Sequence, residues 1–162
     1  MPDKATLQRV RRDRREGKSG STQAGEFVKQ EMDHIRQGKH GARNAKQAIA
    51  IGLSEARRAG VNVPARKSTT SKSTRRKAAQ DTAAGRHPHK PSRRRSRATE
   101  NALKREPRRA ASKTALSRQG HRAASKRSAA SRSSAAKKGA RTKGAAERSA
   151  AAKKAARTRA RR

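Results

Sequence analysis

The side chains in this sequence that could do chemistry are Lys and Arg, and they come in short runs. Arg75-Arg76-Lys77, Arg93-Arg94-Arg95, Arg108-Arg109, Lys126-Arg127, Lys137-Lys138, Lys153-Lys154 and Arg161-Arg162 are the densest, with Lys113 and Arg157 between them. Fixed cations at this spacing do one kind of chemistry: they neutralise the phosphates of a polyanion and release its condensed counterions. A duplex carries about one negative charge per 1.7 Å of axis, so if about ten cations engage at once, log K falls with log salt at a slope of roughly −9. Reading base edges needs side chains held in register within a groove, so binding by such runs is expected to be nearly independent of sequence. These residues form the candidate nucleic-acid-binding set.

Other chemistries find little support. There is no Cys, hence no disulfide and no thiolate metal site. His34, His40 and His121 stand alone in the sequence, and His87 and His89 flank Pro88 without Cys or carboxylate neighbours. No glycine-rich phosphate loop, nucleophile elbow or paired-carboxylate site is present. No catalytic, metal or cofactor residue is therefore expected, and no enzyme. Ser96, Ser128 and Ser133 each follow an Arg and read as small polar spacers, with phosphate acceptance the alternative. Phe27 is the single aromatic residue, so the stacking platforms of single-strand and RNA readers are missing. Double-stranded DNA is the favoured partner, and RNA the alternative.

The totals bound the elements that must carry these cations. With 47 Lys and Arg against 11 Asp and Glu, the 162 residues have a formal net charge of +36. Charge of one sign at this density opposes compaction unless a polyanion neutralises it. Leu, Ile, Val and Phe number only 12, ten of them before residue 64. The expected organisation is a head at 1–64, net +7, and a tail at 65–162, net +29. Any core is expected within the head. No apolar run approaches the roughly 20 residues of a membrane span, and the cations near the carboxy terminus face no large apolar stripe, so no membrane partner is expected. The expected location is the cytoplasm, on the nucleoid.

The head reads as two to three short helices. Residues 3–16 are helical by propensity, with only Leu7 and Val10 to anchor them. Gly17 to Ser21 reads as a flexible linker. In a second helix, capped by Ser21 or Thr22 and stopped at Gly38, Val28, Met32 and Ile35 recur at helical spacing beside Phe27. A third has Asn44 as N-cap, an apolar stripe of Ala45, Ala48, Ile49, Gly52, Leu53 and Ala56, and Gly60 at its end. The last two are expected to pack as a helix hairpin through Gly38 to Gly41, with Phe27, Val28, Met32, Ile35, Ile49 and Leu53 as core or dimer interface.

The tail lacks an apolar face. Residues 109–113 return at 122–126, and 135–142 return with one change at 151–158, a loose repetition of biased composition. Residues 65–97 are expected to be extended. The Ala-rich remainder has latent helicity that like charges oppose, giving a long intrinsically disordered basic tail whose distal part is expected to become partly helical once phosphates neutralise it.

Residues 43–64, and most closely Lys46 to Gly60 followed by Val61-Asn62-Val63-Pro64, resemble the signature of a family of small basic bacterial proteins of uncharacterised function. That resemblance implies a bacterial source and supplies no activity. The tail resembles the Ala/Lys/Ser-rich carboxy-terminal domains of linker histones and bacterial histone H1-like proteins, which implies DNA compaction; the winged-helix domain of eukaryotic linker histones has no counterpart here. The expected function is sequence-independent binding and compaction of DNA by a histone H1-like, nucleoid-associated polycation. The alternatives are an adaptor, whose head binds a protein partner while the tail localises it, and an RNA- or ribosome-associated protein. A homodimer through the head would tether two tails.

Overall fold

A computed structural model describes residues 2–65, 70–87 and 92–160 of the chain. The described residues form seven α-helices and one short 3-10 helix: α1 (Lys4–Arg15), α2 (Gly20–Arg36), α3 (Ala45–Arg58), α4 (Lys72–Arg86), α5 (Arg93–Lys104), the 3-10 helix Arg108–Ala111, α6 (Lys113–Ser125) and α7 (Ala129–Ala160). The chain divides into two units, residues 1–119 and 120–162.

The first unit is built around α2 and α3, whose ends obey local rules. Asn44 accepts a hydrogen bond from the Gln47 amide at 3.0 Å and caps α3. The left-handed residues that end α2 and α3 are Gly38 (φ 78°) and Gly60 (φ 84°). Ser19, rather than Ser21 or Thr22, caps α2, accepting from the Thr22 amide at 3.4 Å. The helix thus begins inside the segment expected to be a flexible linker.

Two apolar clusters hold this unit. One gathers Val10, Ala24, Phe27, Ala56 and Val61, with Leu7, Leu53 and Val63 packed against it. The other gathers Met32, Ile35, Ala42, Ala48, Ala110 and Ala111, with Val28, Ile49 and Leu116 against it. Of the six head residues expected in the core, Phe27, Met32 and Ile35 are buried, while Val28, Ile49 and Leu53 are half-buried. Helix α1 is also anchored, by Val10 in the Phe27 cluster and by an ion pair from Arg9 to Glu26.

The expected fold, a small helical head followed by a long disordered tail, is not what the structure has. Helices continue through residue 160, and the first compact unit runs on to Gln119. The core takes in Ala78, Ala110 and Ala111 from beyond residue 64. The count of large apolar residues misses them because helices that approach closely pack alanine and glycine. Gly52 marks the close approach of α3 to α2: a Cβ there would lie 2.7 Å from the Val28 Cα. Ser71 caps α4 by accepting from the Thr74 amide at 3.3 Å, within the stretch expected to be extended. Pro88, His89, Lys90 and Pro91, part of that expectation, lie outside the described residues.

Asp81 fastens α4 to α3. Its side chain is 2 % exposed and accepts from Ser54 Oγ at 2.8 Å and from Arg58 Nη2 at 3.0 Å, with Lys77 Nζ at 3.3 Å. Burial alone would raise the Asp81 carboxyl; the bonds from Ser54, Arg58 and Lys77 outweigh it and hold the group below the ordinary Asp range. A carboxyl depressed on folding contributes stability above its unfolded value of about 3.9, and that contribution is lost as pH falls through the folded value. Asp81→Asn is expected to destabilise the unit by about 1–2 kcal/mol at pH 7, because Arg58 and Lys77 remain half in water. Thermal melts at pH 7 and pH 3 check this: the gap between wild type and variant should narrow in acid, and an unchanged gap contradicts the assignment.

In the second unit, α7 breaks at Gly144 (φ 64°, ψ 172°). Its two stretches carry the two copies of the repeat. Thr142 Oγ1 donates to the Lys138 carbonyl at 3.0 Å, and Thr158 Oγ1 to that of Lys154 at 2.9 Å. Helix wins over charge repulsion here for a simple reason. Ala, Lys and Arg all have high helix propensity, whereas an exposed like-charge pair one turn apart costs only about 0.2–0.5 kcal/mol.

Candidate nucleic-acid interface

The cations expected to meet phosphate fall into three settings. Lys77 is committed to Asp81 at 3.3 Å, and Arg75 is half-buried with an Nε that has no hydrogen-bond partner. Both therefore take part in the packing of α4, Lys77 through its exposed side chain's contact with Asp81, and Arg76 stands exposed without an ion-pair partner among the described residues. Arg93, Arg94 and Arg95 occupy the exposed first turn of α5, with Arg95 also lining a cleft. Arg108 and Arg109 lie exposed on the 3-10 helix, Arg108 close against Gly38, and Lys113 is exposed at the start of α6.

In the second unit, Lys126, Arg127, Lys137, Lys138, Lys153, Lys154 and Arg157 are all exposed. Arg127 donates to Ser131 Oγ at 3.1 Å. Arg161 and Arg162 lie outside the described residues. Residues 120–162 contain fifteen Lys and Arg and one acidic residue, Glu147. Among the described residues, no cation beyond Lys104 takes part in an ion pair, so their charge is uncompensated among those residues.

The repeat gives the two stretches of α7 the same charge pattern. Arg132, Lys137, Lys138 and Arg141 before Gly144 are matched sixteen residues later by Arg148, Lys153, Lys154 and Arg157. At about 100° per residue such positions spread round the helix instead of forming one stripe. Each stretch is roughly 22 Å long at about 1.5 Å per residue, enough to follow several phosphates. A helix charged all round leaves cations facing away from any one duplex.

Sequence reasoning passed over two features. Arg11, Arg14 and Arg15, with Gln8, line a shallow cleft on the outer side of α1; their i, i+3, i+4 spacing was the available signal, and the anchoring of α1 turns it into a fixed basic face. The second is that His34 and His40, isolated in the sequence, meet Glu31 in space. The signal there was Glu31 and His34 at i and i+3, one face of one helix.

Fold and surface together define a helical polycation with a compact amino-terminal unit and a carboxy-terminal helix bearing uncompensated charge. Residues 4–67 match the model of a family described as "Family of unknown function (DUF6496)". No curated protein and no solved structure matches the chain. The match supports an uncharacterised family for the head and takes in α1 and α2 as well as the motif at 43–64. It ends before α4. No described helix is long and apolar enough to cross a membrane.

Proposed function

We propose that this protein binds duplex DNA through its phosphates without reading base sequence, and that it coats and condenses the duplex in the manner of a histone H1-like, nucleoid-associated protein. It acts without catalysis. The observation that carries this reading is the uncompensated charge of α7, where cations surround the helix and among the described residues none is paired. Such a helix gains affinity from counterion release, and the cations on its far side reach a second duplex, which is the step from coating to condensation. The first unit adds the exposed arginines of α1 and α5.

Base-independent binding has a direct test. Unrelated duplexes of equal length, one rich in A·T and one in G·C, are expected to bind the full-length protein within about threefold of each other at 0.15 M salt, since backbone contacts carry no sequence information. A duplex bound a hundredfold more tightly than the rest would mean that bases are read and would overturn the proposal. Equal-length double-stranded RNA in the same titration separates the ribosome-associated alternative: a clear preference for RNA would favour it.

A further inference from the structure

In a chain with 47 Lys and Arg, carboxylates find cations easily. Glu26 pairs with Arg9, Asp33 with Lys29, and Asp81 with Arg58. Three carboxylates of the first unit have no Lys or Arg partner among the described residues, Asp3 and Glu31, which meet His34 and His40, and Glu55. Glu31 on α2 is 1 % exposed, and its Oε1 is buried with no hydrogen-bond partner. Glu55 on α3 has a buried Oε2 in the same condition. Both line one open cleft of about 640 Å³, together with His34 and His40 and with Lys39, Arg58 and Arg95, none of which pairs with either carboxylate among the described residues.

The imidazoles are oriented as ligands are. His40 Nδ1 lies 3.1 Å from the Gly41 carbonyl. A carbonyl only accepts, so Nδ1 carries the proton and the lone pair of a neutral ring sits on Nε2. That Nε2 faces Glu31 Oε2 at 3.6 Å. With Glu31 ionised and the ring neutral, two acceptors confront one another across a gap that a cation would fill. His34 Nε2 lies 3.1 Å from Asp3 Oδ2, so its N–H donates to the carboxylate and the lone pair of a neutral ring sits on Nδ1. A histidine tied through one nitrogen to a carbonyl or a carboxylate is the usual outer arrangement of a metal site. One donor atom from each of Glu31, His34 and His40 falls within 4.8 Å of the others. A tetrahedral ion with bonds of about 2.0–2.2 Å holds its donors roughly 3.4 Å apart, so modest side-chain movement closes the set.

We propose that Glu31, His34 and His40 bind a divalent transition-metal ion, Zn²⁺ by preference, with Glu55 or water as the fourth donor. Two imidazoles and a carboxylate suit Zn²⁺ and its neighbours over Mg²⁺ or Ca²⁺, which take oxygen ligands. The sequence is consistent with a preformed site: Glu31 and His34 share a face of α2, and Gly38 turns the chain so that His40 comes back over that face. This inference concerns the cleft and does not depend on DNA binding.

The experiment uses untagged full-length protein stripped with a chelator and titrated with Co²⁺, whose visible bands report tetrahedral nitrogen and oxygen coordination. One equivalent of Co²⁺ is expected to bind with a micromolar or tighter dissociation constant, and Zn²⁺ to displace it. Glu31→Gln and His40→Gln should each weaken binding at least tenfold, while His121→Gln leaves it unchanged. Zn²⁺ should raise the melting temperature of the wild type and not of Glu31→Gln, as binding to the folded state requires. Circular dichroism reports whether the variants keep their helices, and the wild-type titration stands whatever they do. Absence of Co²⁺ bands with no Zn²⁺ effect on melting overturns the proposal. So does undiminished binding in both variants, or a His40 that titrates by NMR as a plain imidazolium partner of Glu31 without responding to Zn²⁺.

Discussion

Replacing Lys137, Lys138, Arg141, Lys153, Lys154 and Arg157 together by Gln in the full-length protein is expected to flatten the salt dependence of duplex binding by about 3 to 5 units of slope. At 0.15 M salt the same change should weaken binding about 100- to 1,000-fold, since each lost phosphate contact removes roughly 0.9 counterion from the release. The six positions divide equally between the two stretches of α7 and are all exposed. Gln keeps a helix propensity close to that of Lys and Arg, so circular dichroism should change little and the loss can be assigned to charge. Condensation, read by light scattering with long duplex, should fall further than affinity, because the cations facing away from the first duplex are removed too. Arg58 and Lys77 make the contrast: changing them to Gln should lower the melting temperature through Asp81 and leave the salt slope nearly unchanged. If the six-fold variant retains the wild-type slope, the second unit is not the phosphate-binding element and the proposed function fails with it.

Gly52→Leu is expected to force α2 and α3 apart and to destabilise the first unit severely. A Cβ at this position would stand 2.7 Å from Val28 Cα, 2.9 Å from Val28 N and 3.1 Å from Phe27 C. These are backbone atoms of α2 and cannot turn aside, so the two helices must separate. Both apolar clusters draw on the α2–α3 contact, through Phe27 with Ala56 in one and Met32 with Ala48 in the other. Overpacking a core typically costs about 1–3 kcal/mol, and a rigid backbone neighbour places Gly52→Ala near 2 kcal/mol, even after the gain of about 1 kcal/mol that Ala brings to a helix. Leu should cost about 4 kcal/mol or more, a large share of the roughly 5–15 kcal/mol that stabilises a domain. Gly25 on α2 is the internal control, as nothing lies within 4 Å of a Cβ there. Gly25→Ala should be neutral or stabilising by up to about 1 kcal/mol. Thermal melts of the three variants test the packing; equal melting temperatures for Gly25→Ala and Gly52→Ala would show that α2 and α3 do not approach as closely as described.

The polycationic character and several helix ends were legible in the sequence. Asn44, Gly38 and Gly60 act through neighbours a few residues away, and the stripe of α3 follows from period alone, so these features need no knowledge of the rest of the fold. The α2–α3 hairpin follows from two such stripes and a short loop. The expectation of disorder beyond residue 64 failed for a different reason. It weighed large apolar side chains against net charge, whereas α4 is fastened by one buried carboxylate, Asp81, and the 3-10 helix by Ala110 and Ala111. Neither Asp nor Ala announces burial, since each becomes informative only when its partner is known.

The same distinction separates the two candidate sites. Sequence by itself determined the large surplus of fixed cations on which the proposed phosphate binding rests, because fixed charge is a property of composition and persists in any conformation. Where that charge is free was decided by tertiary structure: Lys77 is spent on Asp81, while Arg11, Arg14 and Arg15 become a fixed face once α1 is docked. The meeting of Glu31, His34 and His40, with Glu55 in the same cleft, also belongs to tertiary structure alone. It requires α2 and α3 to close on one another and the loop after Gly38 to fold back, so that groups isolated along the chain share one cleft, with Lys39, Arg58 and Arg95 on its walls.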